Sequence, residues 1–319
     1  MKKILQFSRS YDTMGCFLRK KTGLSLIVAY LAFILPGAAL GASSSVTAGA
    51  FVPYPVSVRG VGMGGAYAAL ARGSGAPYHN PAAMGFSEER FAGVSYADLG
   101  SMGLVRNVYL DYVQPDRGYG ASGIYWNWRG TEVEGPGGKG ELGYSENTLC
   151  YALAKRIGQY ISVAAAVKAY FIVTDIEDAG GKGAGLDLAL YAAPDPFSTL
   201  GLVVRNALSR FAWDTGLADD LPLELEIGGS YLILDELVAV VELRFEKSHY
   251  TGFSLGGEYS VVPEVFMVRG GFTRRFDRTS PALGLGFRRE TFHFDYAAEI
   301  DSGTSGLGTT HRAGLTLEF

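Results

Sequence analysis

From about residue 90 onward the chain repeats one pattern: apolar and polar side chains alternate with a period of two, run after run. Phe292, Phe294, Tyr296, Ala298 and Ile300 alternate with His293, Asp295, Ala297 and Glu299. Ala313, Leu315, Leu317 and Phe319 alternate with Arg312, Gly314, Thr316 and Glu318, and Leu237, Ala239, Val241, Leu243 and Phe245 flank Glu242, Arg244 and Glu246. Successive side chains of a strand point to opposite faces, so the pattern predicts β-strands with one apolar and one polar face. Runs bounded by turn residues number about fourteen, the first near Phe91 and the last near Thr310. Connections alternate too. Ile157-Gly158, Leu234-Asp235, Val262-Pro263-Glu264 and Arg289-Glu290 are short, whereas the intervening set includes 130–145 and 207–221. An even strand number with tight turns on one rim and longer loops on the other predicts an all-β transmembrane antiparallel barrel with both termini periplasmic.

A soluble sandwich has the same period, and an export signal and the terminal residue separate the two better than the alternation does. Glycine contributes 44 of 319 residues, about twice its usual share, and is spread along the chain. Charged residues make up only 19%, yet mean hydropathy is barely positive, which excludes a bundle of membrane helices. The net charge of −4 does not suggest nucleic-acid binding. Arg19, Lys20 and Lys21 precede an apolar run over 24–35, then Pro36 and Ala39-Leu40-Gly41. A basic flank, a short apolar core and small residues at −3 and −1 predict a secretory signal peptide over 1–41, with Met14 as an alternative start. The core is shorter than the ~20 residues that span a bilayer. Removal of Cys16 would leave Cys150 alone, so no disulfide framework or cysteine metal site is expected.

Residues 42–89 lack this alternation. They hold Pro53, Pro55, Pro77 and Pro81 and many small residues, with a short helix expected over 66–71 and breaks at Pro77 and Pro81. Too poor in bulky apolar residues to form a core alone, this segment is expected to fold inside the barrel formed by 90–319. Phe319, closing an amphipathic strand, resembles the terminal aromatic signal read by the outer-membrane assembly machinery.

The run RGVGMGGAYAALARGSGAPYHNPAAMGF resembles the N-terminal signature of the PorV/PorQ branch of the FadL-like outer-membrane protein family. SENTLCYALAKRIGQYISVAAAVKAY, GLDLALYAAPDPFSTLGLVVRNAL and the last 28 residues are similar to the same branch. The resemblance implies a fourteen-stranded barrel in a Gram-negative outer membrane, plugged by an N-terminal hatch. It also implies uptake of hydrophobic molecules such as long-chain fatty acids, from an outer groove to an opening in the wall. Asn80, Pro81 and Ala82 stand at the NPA positions of the hatch, and Arg59 is a candidate to anchor it. Phe211 and Trp213, with Leu217, are the candidate apolar lip. The alternative that the likeness carries is a PorV-like partner of a protein secretion or attachment machine. Expected partners are therefore membrane lipids, the assembly machinery, and a hydrophobic ligand or secreted proteins.

Alternation sends Lys168, Asp187, Glu224, Glu226, Glu242, Arg244, Glu258, Arg269, Arg288, Asp295 and Glu299 inward. They form either a ladder of ion pairs or part of a ligand path in which Lys168 or Arg269 meets a carboxylate. Two enzyme-like motifs lack their contexts. Gly60-Val61-Gly62-Met63-Gly64-Gly65 matches the dinucleotide pattern without a preceding strand, and Gly252-Phe253-Ser254-Leu255-Gly256 matches a nucleophile elbow inside a straight alternation. His79, His249, His293 and His311 have no metal-ligand spacing. No catalysis, cofactor or metal is expected.

Overall fold

The computed structural model describes residues 51, 54–101, 103–116, 120–134, 141–246, 249–275, 278–300 and 308–319; the expected signal peptide lies outside them. The strands are β1 (Phe91–Leu99), β2 (Val105–Asp116), β3 (Gly120–Glu134), β4 (Glu141–Ile157), β5 (Ile161–Thr174), β6 (Gly181–Ala192), β7 (Ser198–Trp213) and β8 (Ala218–Asp219). They continue with β9 (Glu224–Leu234), β10 (Leu237–Glu246), β11 (His249–Val262), β12 (Phe266–Arg275), β13 (Arg278–Arg289), β14 (Phe292–Ile300) and β15 (Thr309–Glu318). Each wall strand pairs antiparallel with the next, β7 with β9, and β15 returns to β1 from Phe91↔Glu318 to Asp98↔His311. The two-residue β8 pairs only with β7, so the closed wall has the fourteen strands that the alternation predicts. Closure satisfies every sheet edge, the condition for a sheet to cross hydrocarbon.

Strand β5 shows how the pattern partitions. Ser162, Ala164, Ala166, Lys168, Tyr170 and Ile172 are buried, while Val167, Phe171 and Val173 between them are exposed. Apolar side chains thus form the outer face, and polar ones meet inside, the reverse of a soluble sandwich. This makes a test. Val167, 60% exposed at mid-strand, should tolerate no charge. Val167→Arg is expected to lower unfolding stability in lipid by about 2–4 kcal/mol. Urea titration of the protein refolded into vesicles measures it, and an unchanged midpoint would mean that the outer face does not meet lipid.

Two expected loops prove to be largely strand. β3 runs on to Glu134 and β4 begins at Glu141, so the 130–145 connection shrinks to 135–140. Within 207–221, β7 continues to Trp213, and Gly216 N–H donates to Trp213 O at 3.0 Å in a tight turn before β8. Backbone pairing extends beyond the residues whose side chains alternate clearly, so polar composition alone overstates loop length.

Residues 54–86 lie within the ring, and the exposed 88–90 lead to β1 at its rim. The helix expected over 66–71 is absent; turns occupy it, because Tyr67 and Ala68 give their N–H groups to Glu242 of β10 rather than to a preceding turn. Helical turns form instead at Val58–Gly62, Ala76–His79 and Pro81–Phe86. Pro77 and Pro81, expected as breakers, sit in the first turns of two of them, where a missing N–H costs nothing. Inward glycines let this segment approach the wall. A Cβ on Gly256 would stand 2.2 Å from Met63 O, and one on Gly201 2.3 Å from Ala68 O.

Candidate functional site: the plugged lumen

The site is the interface between the inner segment and the polar face of the barrel. Alternation places carboxylates and cations along the bore, and strand register decides which of them meet. Lys168 of β5 lies 2.6 Å from Asp187 of β6. Arg205 of β7 contacts Glu226 of β9 at 3.0 Å, and Arg244 of β10 contacts Glu242 at 2.7 Å and Glu226 at 3.6 Å. Arg269 of β12 joins Glu258 at 2.6 Å and Asp295 at 2.5 Å, and Arg129 pairs with Glu146. A buried charge needs a partner and filled hydrogen-bond positions, and these groups also use theirs on the plug.

Glu242 accepts from Tyr67 N at 3.0 Å and Ala68 N at 2.8 Å, while Arg244 donates to Gly65 O at 2.9 Å. Asp111 of β2 accepts from Gly75 N at 2.6 Å and Ser74 Oγ at 2.9 Å. Arg205 donates to Tyr78 O at 2.8 Å, and Glu146 accepts from Phe51 N at 3.0 Å. Arg59 is held at Glu258, 2.7 Å away, so it bonds the plug to the wall at the place where Arg269 binds the same acid. Apolar contacts fill between these grips: Val56, Met63, Tyr67 and Met84 share one buried cluster with Tyr109, Val113, Tyr125, Val203 and Val240 of the wall.

Asn80, wholly buried, is a junction. Its Oδ1 accepts from Ala82 N at 3.1 Å, and its Nδ2 donates to Ala68 O at 2.8 Å and to Leu190 O of β6 at 3.2 Å. One side chain therefore caps the turn that Pro81 starts, ties two parts of the plug, and fixes both to the wall. Ala82 has no exposed surface, which leaves no room for a larger residue without displacement. Beside it, His79 Nε2 accepts from Ser57 N at 3.1 Å. Burial, reinforced by the nearby Arg205 guanidinium, holds its imidazole far below the usual histidine range, at about 3, so it remains an acceptor.

The ligand-path candidates fall differently from expectation. Lys168 and Arg269 are both neutralised by acids, and Lys168 Nζ also donates to Asn206 Oδ1 at 2.8 Å. Neither offers a free cation. Phe211 is not an exposed lip: it is 1% exposed, inside the bore, clustered with Tyr170 and Ile172 and with its ring tilted against that of Phe51, centroids 5.3 Å apart. Trp213 is at the end of β7, its ring 4.8 Å from Phe211 and its Nε1 donating to Asp219 Oδ2 at 2.8 Å. The strand reaches further than composition suggested, which carries Phe211 inward. Leu217 alone is well exposed, at 70%.

Sequence reasoning missed Phe51 and Asn206. Phe51 completes the aromatic cluster, 4.8 Å from Tyr170. Asn206, at φ 53°, forms the bulge where the β6–β7 register shifts between Leu186 and Leu188; it accepts from Lys168 and Tyr170 and donates N–H to Asp187 at 2.8 Å. No periodicity marks a bulge beforehand. Ser254, of the elbow-like motif, lies on the straight strand β11 and bonds Thr273 Oγ1 at 2.9 Å.

Below the aromatic cluster is a polar space of about 40 Å³ bordered by Arg129, Glu146, Lys168, Tyr170 and Asn206. A second, of about 220 Å³, lies between the plug and β1, β14 and β15, reaching Arg288 and Glu318. On the outer face of β2–β5, Leu110, Ile124, Trp126, Leu149, Tyr151 and Val167 border an apolar groove of about 640 Å³. The lumen is closed in this conformation: the wall is paired all round among the described residues, and the plug occupies its bore.

A closed fourteen-stranded antiparallel ring is the fold that this chain shares with known transport channels. The FadL homologue of Pseudomonas aeruginosa superposes with a TM-score of 0.60 at 15% identity, covering 85% of this chain and 99% of that one. The toluene transporters TbuX of Ralstonia pickettii (TM-score 0.58, 15% identity, 82% and 96% covered) and TodX of Pseudomonas putida (0.59, 10%, 82% and 96%) are similar to the same extent. At such identities the likeness is one of fold. No protein-family model matches the chain, and no curated protein matches it significantly.

Proposed function

We propose that the protein is an outer-membrane uptake channel for hydrophobic small molecules, captured here closed, with 1–41 as its export signal and 42–89 as the hatch. The observation that carries this is the aromatic cluster of Phe51, Tyr170 and Phe211 toward the outer ends of β5 and β7, separate from the apolar cluster that packs the plug on the wall. An apolar ligand can replace Phe51 against Tyr170 and Phe211. The neighbours named as toluene transporters and as a FadL homologue share the fold over most of their length, which supports the reading. In it, Asn80 and Arg59 hold the hatch. The finer likeness to the PorV/PorQ branch belongs to this proposal as well. The test is uptake of labelled long-chain fatty acid and of toluene by a deletion strain and by the same strain carrying the wild-type gene. Restored uptake of either is expected, and identical uptake in both strains would remove the reading.

The closed lumen also suits an outer-membrane partner of a secretion machine. That reading predicts a changed set of exported proteins in the deletion strain with uptake unaltered.

A further inference from the structure

The apolar groove of about 640 Å³ on the outer face of β2–β5 lies at mid-wall, since Leu110 is the sixth of the twelve residues of β2. Leu110, Ile124, Trp126, Leu149 and Tyr151 border it, and β5 presents only the methyl of Ala169 opposite Leu149. Its volume is in the range of sites that hold small molecules, about 300–1,000 Å³. The wall behind it is closed. The ladders run without a register shift from Val105↔Thr131 to Asp116↔Gly120, from Gly120↔Lys155 to Glu134↔Glu141 and from Tyr144↔Thr174 to Ile157↔Ile161. Whatever fills the groove therefore comes from the membrane side.

Toward the outer rim the same face turns polar. Trp126 donates its Nε1–H to Asn147 Oδ1 at 3.1 Å, and Asn147 Nδ2 donates to Ser145 Oγ at 3.3 Å. Arg106 of β2 shares the outward parity of Leu110 and is exposed. The four residues between them span about 13 Å of strand, or about 10 Å along the membrane normal at the usual barrel tilt. Half of an apolar band about 25 Å tall is close to that depth, so the guanidinium stands at head-group level when the groove lies in the hydrocarbon. Asp98, its cross-strand neighbour on β1, accepts from Gly103 N at 3.0 Å, and Arg106 forms no ion pair among the described residues. Arg210, exposed toward the outer end of β7, has its own acid in Asp220 at 3.5 Å.

We propose that this face is a specific lipid site: the groove seats an acyl chain of an outer-leaflet lipid, and Arg106 holds that lipid's anionic phosphate head group. A guanidinium matches phosphate oxygens with two parallel N–H bonds, and the indole of Trp126 suits the boundary between hydrocarbon and water. The closed wall argues against cargo leaving the bore here. An unpaired cation one leaflet's depth above an apolar groove matches a lipid, and a second copy of the chain offers no acid at that level on its own outer face of β2–β5. The site serves the barrel whatever it conducts.

Trp126 itself reports the occupant. The full processed protein carrying Trp128→Phe and Trp213→Phe keeps Trp126 as its sole tryptophan. It is refolded into phosphatidylcholine vesicles holding a rising share of lipid with brominated acyl chains, either phosphatidate or phosphatidylcholine. Bromine quenches an indole that it touches. Brominated phosphatidate should quench Trp126 at a mole fraction about fivefold lower than brominated phosphatidylcholine, as expected for one cation near an anionic head group. Arg106→Gln should erase that preference and leave quenching by phosphatidylcholine unchanged, whereas Arg106→Lys should keep most of it. Ala169→Leu, which fills the groove without altering charge, should weaken quenching by phosphatidate. Heat-modifiable mobility on gels confirms folding. Should the double tryptophan variant not fold, native mass spectrometry of wild type and Arg106→Gln with the same two lipids makes the comparison. Equal quenching by both lipids, or a preference that survives Arg106→Gln, overturns the proposal and leaves only unspecific lipid contact. Relief of quenching by added toluene or hexadecanoate would give the groove to cargo. Absence of quenching by either lipid, with a doubled particle mass in light scattering, would give it to a second copy. Each of these results likewise overturns the proposal.

Discussion

Glu242→Ala should release the plug and open a conductive bore. The carboxylate is 2% exposed and serves three donors: Tyr67 N, Ala68 N and Arg244 Nη2. Alanine would strand two buried N–H groups, at about 1–3 kcal/mol each, and remove the nearer acid from a buried guanidinium, a loss of about 3–5 kcal/mol. Arg244 retains Glu226 only at 3.6 Å, which offsets little. A destabilisation of about 5 kcal/mol or more is expected, concentrated on the plug because the ladder bonds of β10 to β9 and β11 do not involve this side chain. Planar-bilayer recording should show ion conductance that wild type lacks, and limited trypsin digestion should reach Arg59, which is held at Glu258 in the wild type. Glu242→Gln, which keeps an oxygen for the two N–H donors but not the charge, should fall between. A silent bilayer with an unchanged digestion pattern for the alanine variant would mean that the plug is held by its apolar contacts alone.

The wall was readable because parity is a local property: every second residue from Phe292 to Ile300 states which solvent it meets, whatever the other strands do. Which charges neutralise one another was not readable, because that depends on register between neighbours. Lys168 and Asp187 are 19 positions apart, Arg269 and Asp295 26, and only the Cα pairings of β5 with β6 and of β12 through β14 bring them together. Parity therefore treats Lys168 and Arg269 alike as inward cations, and that both are saturated by acids appears only in three dimensions. The plug was legible as something that cannot fold alone, but not in its turns. Its backbone donors are taken by wall side chains such as Glu242 and Asp111, so helix signals over 66–71 misled and Pro77 and Pro81 found uses as starters.

The abundance of glycine receives its sharpest test at one cross-strand pair. Gly256 of β11 lies opposite Gly271 of β12, and together they make a bare patch against which the Met63 carbonyl rests. A Cβ on Gly256 would stand 2.2 Å from Met63 O and one on Gly271 2.4 Å from Met63 C. Both neighbours are backbone, so no rotamer change relieves the clash; the plug must retreat or the wall must bend. Overpacking of a filled interior costs about 1–3 kcal/mol when side chains can adjust, and here they cannot. Gly256→Val should therefore destabilise by about 3 kcal/mol or more and expose the plug to protease. Gly270, next in the chain to Gly271, faces outward, where an added Cβ meets only Leu283 Cδ2 at 3.9 Å. Valine there suits a strand and its lipid-facing surface, so Gly270→Val should fold, resist digestion and unfold as wild type does. The contrast separates two explanations for a glycine-rich barrel. If glycine serves only to let strands twist and bend, the two valines should behave alike. If it clears a seat for the inner segment, only the inward one should disturb the plug, and the seat at Gly256 and Gly271 is what holds the lumen closed.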